Sequence, residues 1–253
     1  MIVRPIKTRL VKAGDSLTDV IANSIASFPE ESVLVITSKI VSFCENQLVP
    51  KKTNTKRERT ELVEQIADYY IPPHMSKYRI MLTRYLGMLM IDAGVDVTNS
   101  DNQYTLLPKD PQRSVNEIWK FLKENYRLKK VGVIMTDSFP ALPLVWGTVS
   151  IPLAHCGFKT LKNYAGKQDL FGWEMHLPII NLSQGIAVAA GLEMGEGAEQ
   201  TPLAVVSEIT DIEFQNRIPT DKEIEEVKVD IKDDLYAPFL QAVSWKKGKN
   251  KLI

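Results

Sequence analysis

Cysteine and histidine are nearly missing from this chain: its 253 residues include two cysteines, Cys44 and Cys156, and three histidines, His74, His155 and His176. Two thiols point away from a disulfide scaffold and from a thiolate zinc centre. His155 and Cys156 are neighbours on a predicted strand, so they should face opposite ways and not form a catalytic pair. All three histidines are expected to be structural or solvent-facing. Net charge is missing as well. With 31 basic and 31 acidic residues, the chain lacks the basic excess of a nucleic-acid binder. Its apolar runs fall far short of a membrane span, and Met1-Ile2-Val3-Arg4-Pro5 has neither the charged head nor the apolar stretch of a signal peptide. Neither a GxxxxGK[ST] phosphate loop nor a GxGxxG fingerprint occurs. These absences predict a soluble, cytoplasmic protein that engages neither nucleic acid nor membrane.

What the chain does have is three short segments that carry acid into apolar or glycine-flanked surroundings. They are residues 92–99 (DAGVDVTN), Thr136-Asp137-Ser138 after the apolar run 131–135, and Met194-Gly195-Glu196-Gly197. Carboxylates and hydroxyls at strand ends and glycine turns are ligands for hard cations, which commonly bring nucleotide phosphates with them. Asp96 and Asp137 are the candidate metal ligands, Ser138 could add a hydroxyl, and Asn99 could bond a base, ribose or phosphate. Glu196 lies between two glycines that allow close backbone approach to a ligand. Each segment also has a plainer reading. Asp96 could stabilise a turn, Asp137 and Ser138 could cap a short helix, and residues 195–197 could end one.

The rest of the chain supplies a scaffold. Strands are predicted over residues 1–11, 32–38, 131–135, 148–153 and 203–209. Helices are predicted from about residue 16 to 27, over 61–70, over 114–126 (with Ser114 and Glu117 as a capping box), over 186–192 and over 221–227. Residues 39–42 read as the continuation of a strand into a polar loop, and residues 51–60 as a solvated basic loop. Strands and helices intermix without regular βαβ spacing, which favours α+β.

Taken in order, several wordings resemble one family: Pro5-Ile6-Lys7, Gly14-Asp15, residues 33–42 (VLVITSKIVS), the three acidic segments, and residues 107–111 (LPKDP). The pattern continues through Gly147-Thr148, Tyr164-Ala165-Gly166, Asp169-Leu170 with Gly172, and Pro202. The ordered set resembles the coenzyme F420-0:γ-glutamyl ligase family over about residues 1–208. The resemblance implies an α+β fold with mixed and antiparallel sheets and two intertwined subdomains. It implies one catalytic domain over 1–253 with a divergent tail from about residue 210. It further implies an enzyme that joins L-glutamate to a substrate carboxylate using GTP (or ATP) and two divalent cations, Mn2+ or Mg2+. The family's homodimer is expected too. Asp96 and Asp137 would share one cation and Ser138 and Glu196 would hold the second, which makes Asp96, Asp137 and Glu196 the catalytic set. Arg9, Leu10, Val11, Ser38, Lys39, Asn99, Met194, Gly195 and Gly197 would contact the nucleotide. Lys162 matches a basic position before the aromatic–x–Gly pattern and would clamp phosphate or a substrate carboxylate.

The departures are specific. The family follows Ser42 with Lys-Ala-Glu-Gly, whereas this chain has Phe43-Cys44-Glu45-Asn46. A cationic Gly-Arg-Pro-x-Arg-like loop is replaced by residues 139–146 (FPALPLVW), uncharged and one residue longer. A loop without arginine has no fork for phosphate, and an aromatic one suits a flatter, less anionic ligand. The pattern is like the branch associated with folate metabolism, in which Phe139 or Trp146 would stack on a folate acceptor. Alternatives are a coenzyme F420-0:L-glutamate ligase and a non-catalytic nucleotide-binding relative.

Overall fold

The computed structural model describes residues 1–140 and 144–251. In chain order the elements are β1 (Ile2–Ile6), α1 (Leu17–Ser24), β2 (Ser32–Thr37), α2 (Ser38–Cys44), β3 (Leu48–Pro50), α3 (Lys56–Ile66), β4 (Tyr69–Tyr70), β5 (Leu82–Tyr85), β6 (Met88–Ile91) and β7 (Gln103–Thr105). There follow α4 (Pro111–Tyr126), β8 (Val131–Phe139), β9 (Val149–Cys156), β10 (Leu161–Asn163), β11 (Ile179–Asn181), α5 (Leu182–Met194), β12 (Leu203–Ser207), α6 (Asp221–Glu225), α7 (Ala237–Ala242) and β13 (Lys246–Lys247). This is the α+β class expected from the sequence. No helix among the described residues is long and apolar enough to cross a membrane.

The chain divides into two compact units, each assembled from separate stretches. Met1–Cys44 with Asp110–Pro219 form the first, and Glu45–Lys109 with the chain from Thr220 onward form the second.

The first unit is organised by a five-stranded sheet in the order β1-β12-β2-β8-β9, in which only β2 and β8 pair in parallel. β2 (SVLVIT) and the first six residues of β8 are buried almost throughout. A strand covered on both faces reads as a continuous apolar run for this reason. On one face α5 lays Ile186, Ala187, Ala190 and Met194 against Val33, Val35, Ile134, Ala204 and Val206. On α4, Val115, Ile118, Trp119 and Leu122 are buried at helical spacing, and Trp119 Nε1 donates to the Val131 carbonyl at 2.9 Å.

The second unit holds a four-stranded antiparallel sheet, β13-β4-β5-β6, and the small β3–β7 pair. Leu62, Val63 and Ile66 of α3 are buried.

Four sequence expectations are corrected here. Residues 38–44 form α2 and do not continue the strand, because Ile40, Val41 and Phe43 can all be buried on a helix. The β-branched run before them masked the change of period. α3 begins at Lys56, within the supposed solvated loop: Thr55 caps it by accepting from Glu58 N at 3.2 Å. The Glu58 carboxylate in turn accepts from the amides of Lys52, Thr53 and Asn54. α4 is capped by Asp110, which accepts from Arg113 N at 2.9 Å, with Pro111 in the first turn. Ser114 is buried inside that turn and donates to the Asp110 carbonyl. Finally, β8 runs on to Phe139, so Asp137 and Ser138 lie inside a strand and not at its end.

Candidate active site

Strand register gathers the candidate residues of the first unit at one end of its sheet. Ile6 of β1 pairs with Leu203 of β12, Leu203 pairs with Ile36 of β2, and Thr37 pairs with Thr136 of β8. Arg9-Leu10-Val11, Ser38-Lys39, Asp137-Ser138 and the turn after Met194 therefore all lie at the same edge. Two backbone hydrogen bonds tie these segments together: Thr8 N to the Gln200 carbonyl and Thr37 N to the Pro202 carbonyl, both 3.0 Å.

Two of the predicted ligands meet directly. Ser138 Oγ donates a hydrogen bond to Glu196 Oε1 across 58 positions of sequence. The contact follows from packing. Side chains alternate along a strand, so Ser138 shares the α5 face with Ile134. Its cross-strand neighbour on β9 is Ser150. Over Ser150 sits Gly191 of α5, so close that an added Cβ would lie 2.6 Å from Ser150 Cβ. The missing side chain lets the last turn of α5 approach β9, and five residues later Glu196 reaches Ser138. Asp137 faces the opposite way by the same alternation, and its Oδ1 accepts from Ser138 N at 3.0 Å.

The turn that carries Glu196 is fixed from several sides. Gly195 ends the helix at φ +75°, where an added Cβ would come within 2.7 Å of Glu199 Cδ, so only glycine suits the position. Gly197 N donates to Glu199 Oε2 at 2.8 Å, and Thr201 Oγ1 to the Met194 carbonyl at 2.5 Å. Glu199 and Thr201 lie in the turn that the family resemblance implies as a nucleotide contact, whereas Gly191 and Ser150 were not singled out from sequence. A glycine inside a small-residue helix was the one signal available for Gly191.

The donor set fits a hard divalent cation. Ser138 and Glu196 present a hydroxyl and a carboxylate at one place, Asp137 adds a carboxylate on the other face of the same strand, and oxygen-only sites select Mg2+, Mn2+ or Ca2+ over softer metals. Among the described residues no three His, Cys, Asp or Glu side chains gather into a group that could hold a metal ion. The chain thus offers a partial shell, which suits a cation that keeps waters and takes further oxygens from phosphate.

The remaining predicted residues of this unit differ in what they can offer. Arg9 Nη1 is paired with Asp15 Oδ2 at 2.6 Å; Leu10 is exposed, Val11 and Ser38 are buried, and Lys39 is half-buried. Met194 is buried in the α5–sheet core. Phe43, at the family's lysine position, packs into the core and leaves no cation there. Phe139 is 4% exposed, so its ring belongs to the core and is not offered for stacking. Trp146, by contrast, is 88% exposed and follows the exposed Leu144 and Val145; residues 141–143 of the same loop lie outside the described residues. Lys162 is occupied: its Nζ bonds Asp211 Oδ2 at 2.6 Å and lies 5.3 Å from the Tyr164 ring centroid. That lysine holds the Asp211 carboxyl below its ordinary range.

Asp96 and Asn99 belong to the second unit. Asp96 bridges in antiparallel fashion to Thr105 of β7. Its Oδ1 accepts from Val97 N at 2.5 Å, Thr98 N at 2.8 Å and Thr98 Oγ1 at 2.9 Å. This is the turn-stabilising geometry of an Asx residue, and it also fixes where the carboxylate points. Asn99 is exposed, with φ +48°.

Comparison with known proteins agrees with the residue pattern. The F420-0:Gamma-glutamyl ligase family profile matches residues 5–208. The coenzyme F420:L-glutamate ligase of Methanopyrus kandleri is 32% identical over 210 residues, 78% of this chain and 82% of that protein. The enzyme of the same name from Archaeoglobus fulgidus is 27% identical over 209 residues, covering 78% and 83%, and that of Methanococcus maripaludis strain C6 is 28% identical over 211, covering 78% and 84%. With a matched span that takes in Asp96, Asp137, Ser138 and Glu196, the chain belongs to the F420-0:gamma-glutamyl ligase family and is a γ-glutamyl ligase.

Proposed function

We propose that this ligase adds L-glutamate to the γ-carboxylate of a folate in the cytoplasm, with GTP or ATP as co-substrate and Mn2+ or Mg2+ at the sheet-end site. The ligase chemistry rests on one observation above all, the meeting of Ser138 and Glu196 beside Asp137. A carboxylate is a poor electrophile, so the acceptor must first take the nucleotide's γ-phosphoryl group; the glutamate amine then displaces phosphate from the acyl phosphate. Divalent cations supply charge neutralisation for the transferring phosphoryl group. Glu196 and Ser138 hold cation-facing oxygens at the end of α5 and on β8, and Asp137 adds a carboxylate on the other face of the same strand. In the second unit, Asp96 presents a cation-binding carboxylate and Asn99 a nucleotide contact. Arg9, Ser38, Lys39 and the Met194–Thr201 turn line the nucleotide's approach at the sheet end.

The acceptor assignment draws on Trp146, exposed on an uncharged loop where the family has arginines. A second reading, F420-0 as acceptor, is favoured by the names of the relatives. Pure protein incubated with GTP or ATP, Mn2+, L-glutamate and either tetrahydrofolate or F420-0 separates the two by mass spectrometry. One added glutamyl unit on folate is the expected result, and Trp146→Ala should raise the KM for folate roughly tenfold while leaving the nucleotide KM unchanged. A product from F420-0 alone would transfer the assignment to that acceptor.

The homodimer is part of the same proposal. The β10–β11 hairpin is a two-stranded arm, marginal in water by itself, and it carries Leu170, Phe171, Trp173 and Leu177 all at least three-quarters exposed. Burial against a second copy would cover this patch. Changing Leu170, Phe171 and Trp173 to serine should turn a dimer into a monomer in light scattering; an unaltered dimer would remove the arm from the interface.

A further inference from the structure

Arg59, within the stretch that reads from sequence as a solvated basic loop, lies one turn into α3 and reaches a buried carboxylate. Its Nη2 pairs with Asp92 Oδ2 at 2.7 Å and donates to the Val95 carbonyl at 3.0 Å. Asp92 is 5% exposed, and burial pushes its carboxyl above the ordinary range. The backbone here is unusual. Asp92, Ala93 and Gly94 have φ of +48°, +50° and +72°, and two consecutive non-glycine residues in the left-handed region persist only where their surroundings hold them.

The holding groups are identifiable. Met81 N donates to Asp92 Oδ1 at 2.9 Å, Ala93 N donates to Thr83 Oγ1 at 2.8 Å, and Gly94 lies against Leu107 where a Cβ would find no room. Arg59 joins both ends of the strained segment: Asp92, which opens it, and Val95, which closes it. The next residue is Asp96.

We propose that Arg59 is a positioning residue: its bridge from Asp92 to the Val95 carbonyl fixes the turn that presents Asp96 and Asn99. This rests on the reading of Asp96 and Asn99 as cation and nucleotide contacts. Stability alone does not call for the pair, since an ion pair at a buried carboxylate can be exchanged for neutral groups with little loss. That exchange makes the test. In the enzyme as a whole, Arg59→Met combined with Asp92→Asn keeps an acceptor for Met81 N, removes both charges and deletes the bond to Val95. Calorimetric binding of GTP in the presence of Mn2+ should weaken at least tenfold while the melting temperature stays close to that of the parent. Should the double variant not fold, Arg59→Lys keeps Asp92 paired, and at least threefold weaker binding is expected of it. Asp96→Asn is the control for the underlying reading. If Asp96→Asn weakens binding and both Arg59 variants bind like the parent, Arg59 is a structural residue and the inference is overturned. If Asp96→Asn binds like the parent, the assignment of Asp96 fails and the inference falls with it.

Discussion

Asp137→Asn is expected to lower metal-dependent glutamyl transfer by roughly a thousandfold, the scale of losing one preorganised electrostatic group, with little change in melting temperature. The substitution is close to isosteric, and the asparagine oxygen can still accept from Ser138 N as Asp137 Oδ1 does. What disappears is the negative charge. Glu196→Gln should behave alike, because its amide oxygen can still accept from Ser138 Oγ. Mn2+ titration followed by electron paramagnetic resonance, alongside single-turnover kinetics, reads both effects. Full activity in Asp137→Asn would sink the cation assignment.

Gly191→Ala is the second large effect. The new methyl group would meet Ser150, the cross-strand neighbour of Ser138, well inside contact distance. Overpacking of this kind costs about 1–3 kcal/mol, a few degrees of melting temperature for each kcal/mol in a chain of this size. The greater consequence is positional. α5 must lift from β9, and Glu196 at its end is carried away from Ser138, so Mn2+ affinity should fall at least tenfold. Adding Ser150→Gly to Gly191→Ala restores the space and should restore the affinity, although stability stays low because glycine weakens a strand. If the affinity of Gly191→Ala equals the parent's, the helix approach is not what places Glu196.

The sequence made some of this legible and concealed the rest for physical reasons. β2 and β8 were readable as unbroken apolar runs, because a strand covered on both faces needs no polar alternation. Asp137, Ser138 and Glu196 stood out as acid and hydroxyl next to apolar or glycine-rich sequence. That Ser138 and Glu196 meet was implied by the family resemblance alone; their own spacing could not carry it, since the contact depends on β12 inserting between β1 and β2 and on Gly191 seating over Ser150. The cap of α4 was misplaced because Ser114 and Glu117 imitate a capping box, while the Asp110-Pro111 signal lay four residues earlier. Arg59 was lost in a charged run. Charge density says nothing of whether one member of the run turns inward, and its partner, Asp92, lies on a turn that only the tertiary structure brings to α3.

The pairing of β1 with β12 has a consequence for how the protein comes into being. Ile2 finds its partner at Ser207, near the end of the first unit. At elongation rates of about 5–20 residues per second, β1 leaves the ribosome on the order of 10–40 s before its sheet neighbour exists. The β2–β8–β9 portion can be translated and paired well before then. β1 therefore has no place in the sheet until β12 has been made, however early the strands at the other side of β12 have paired.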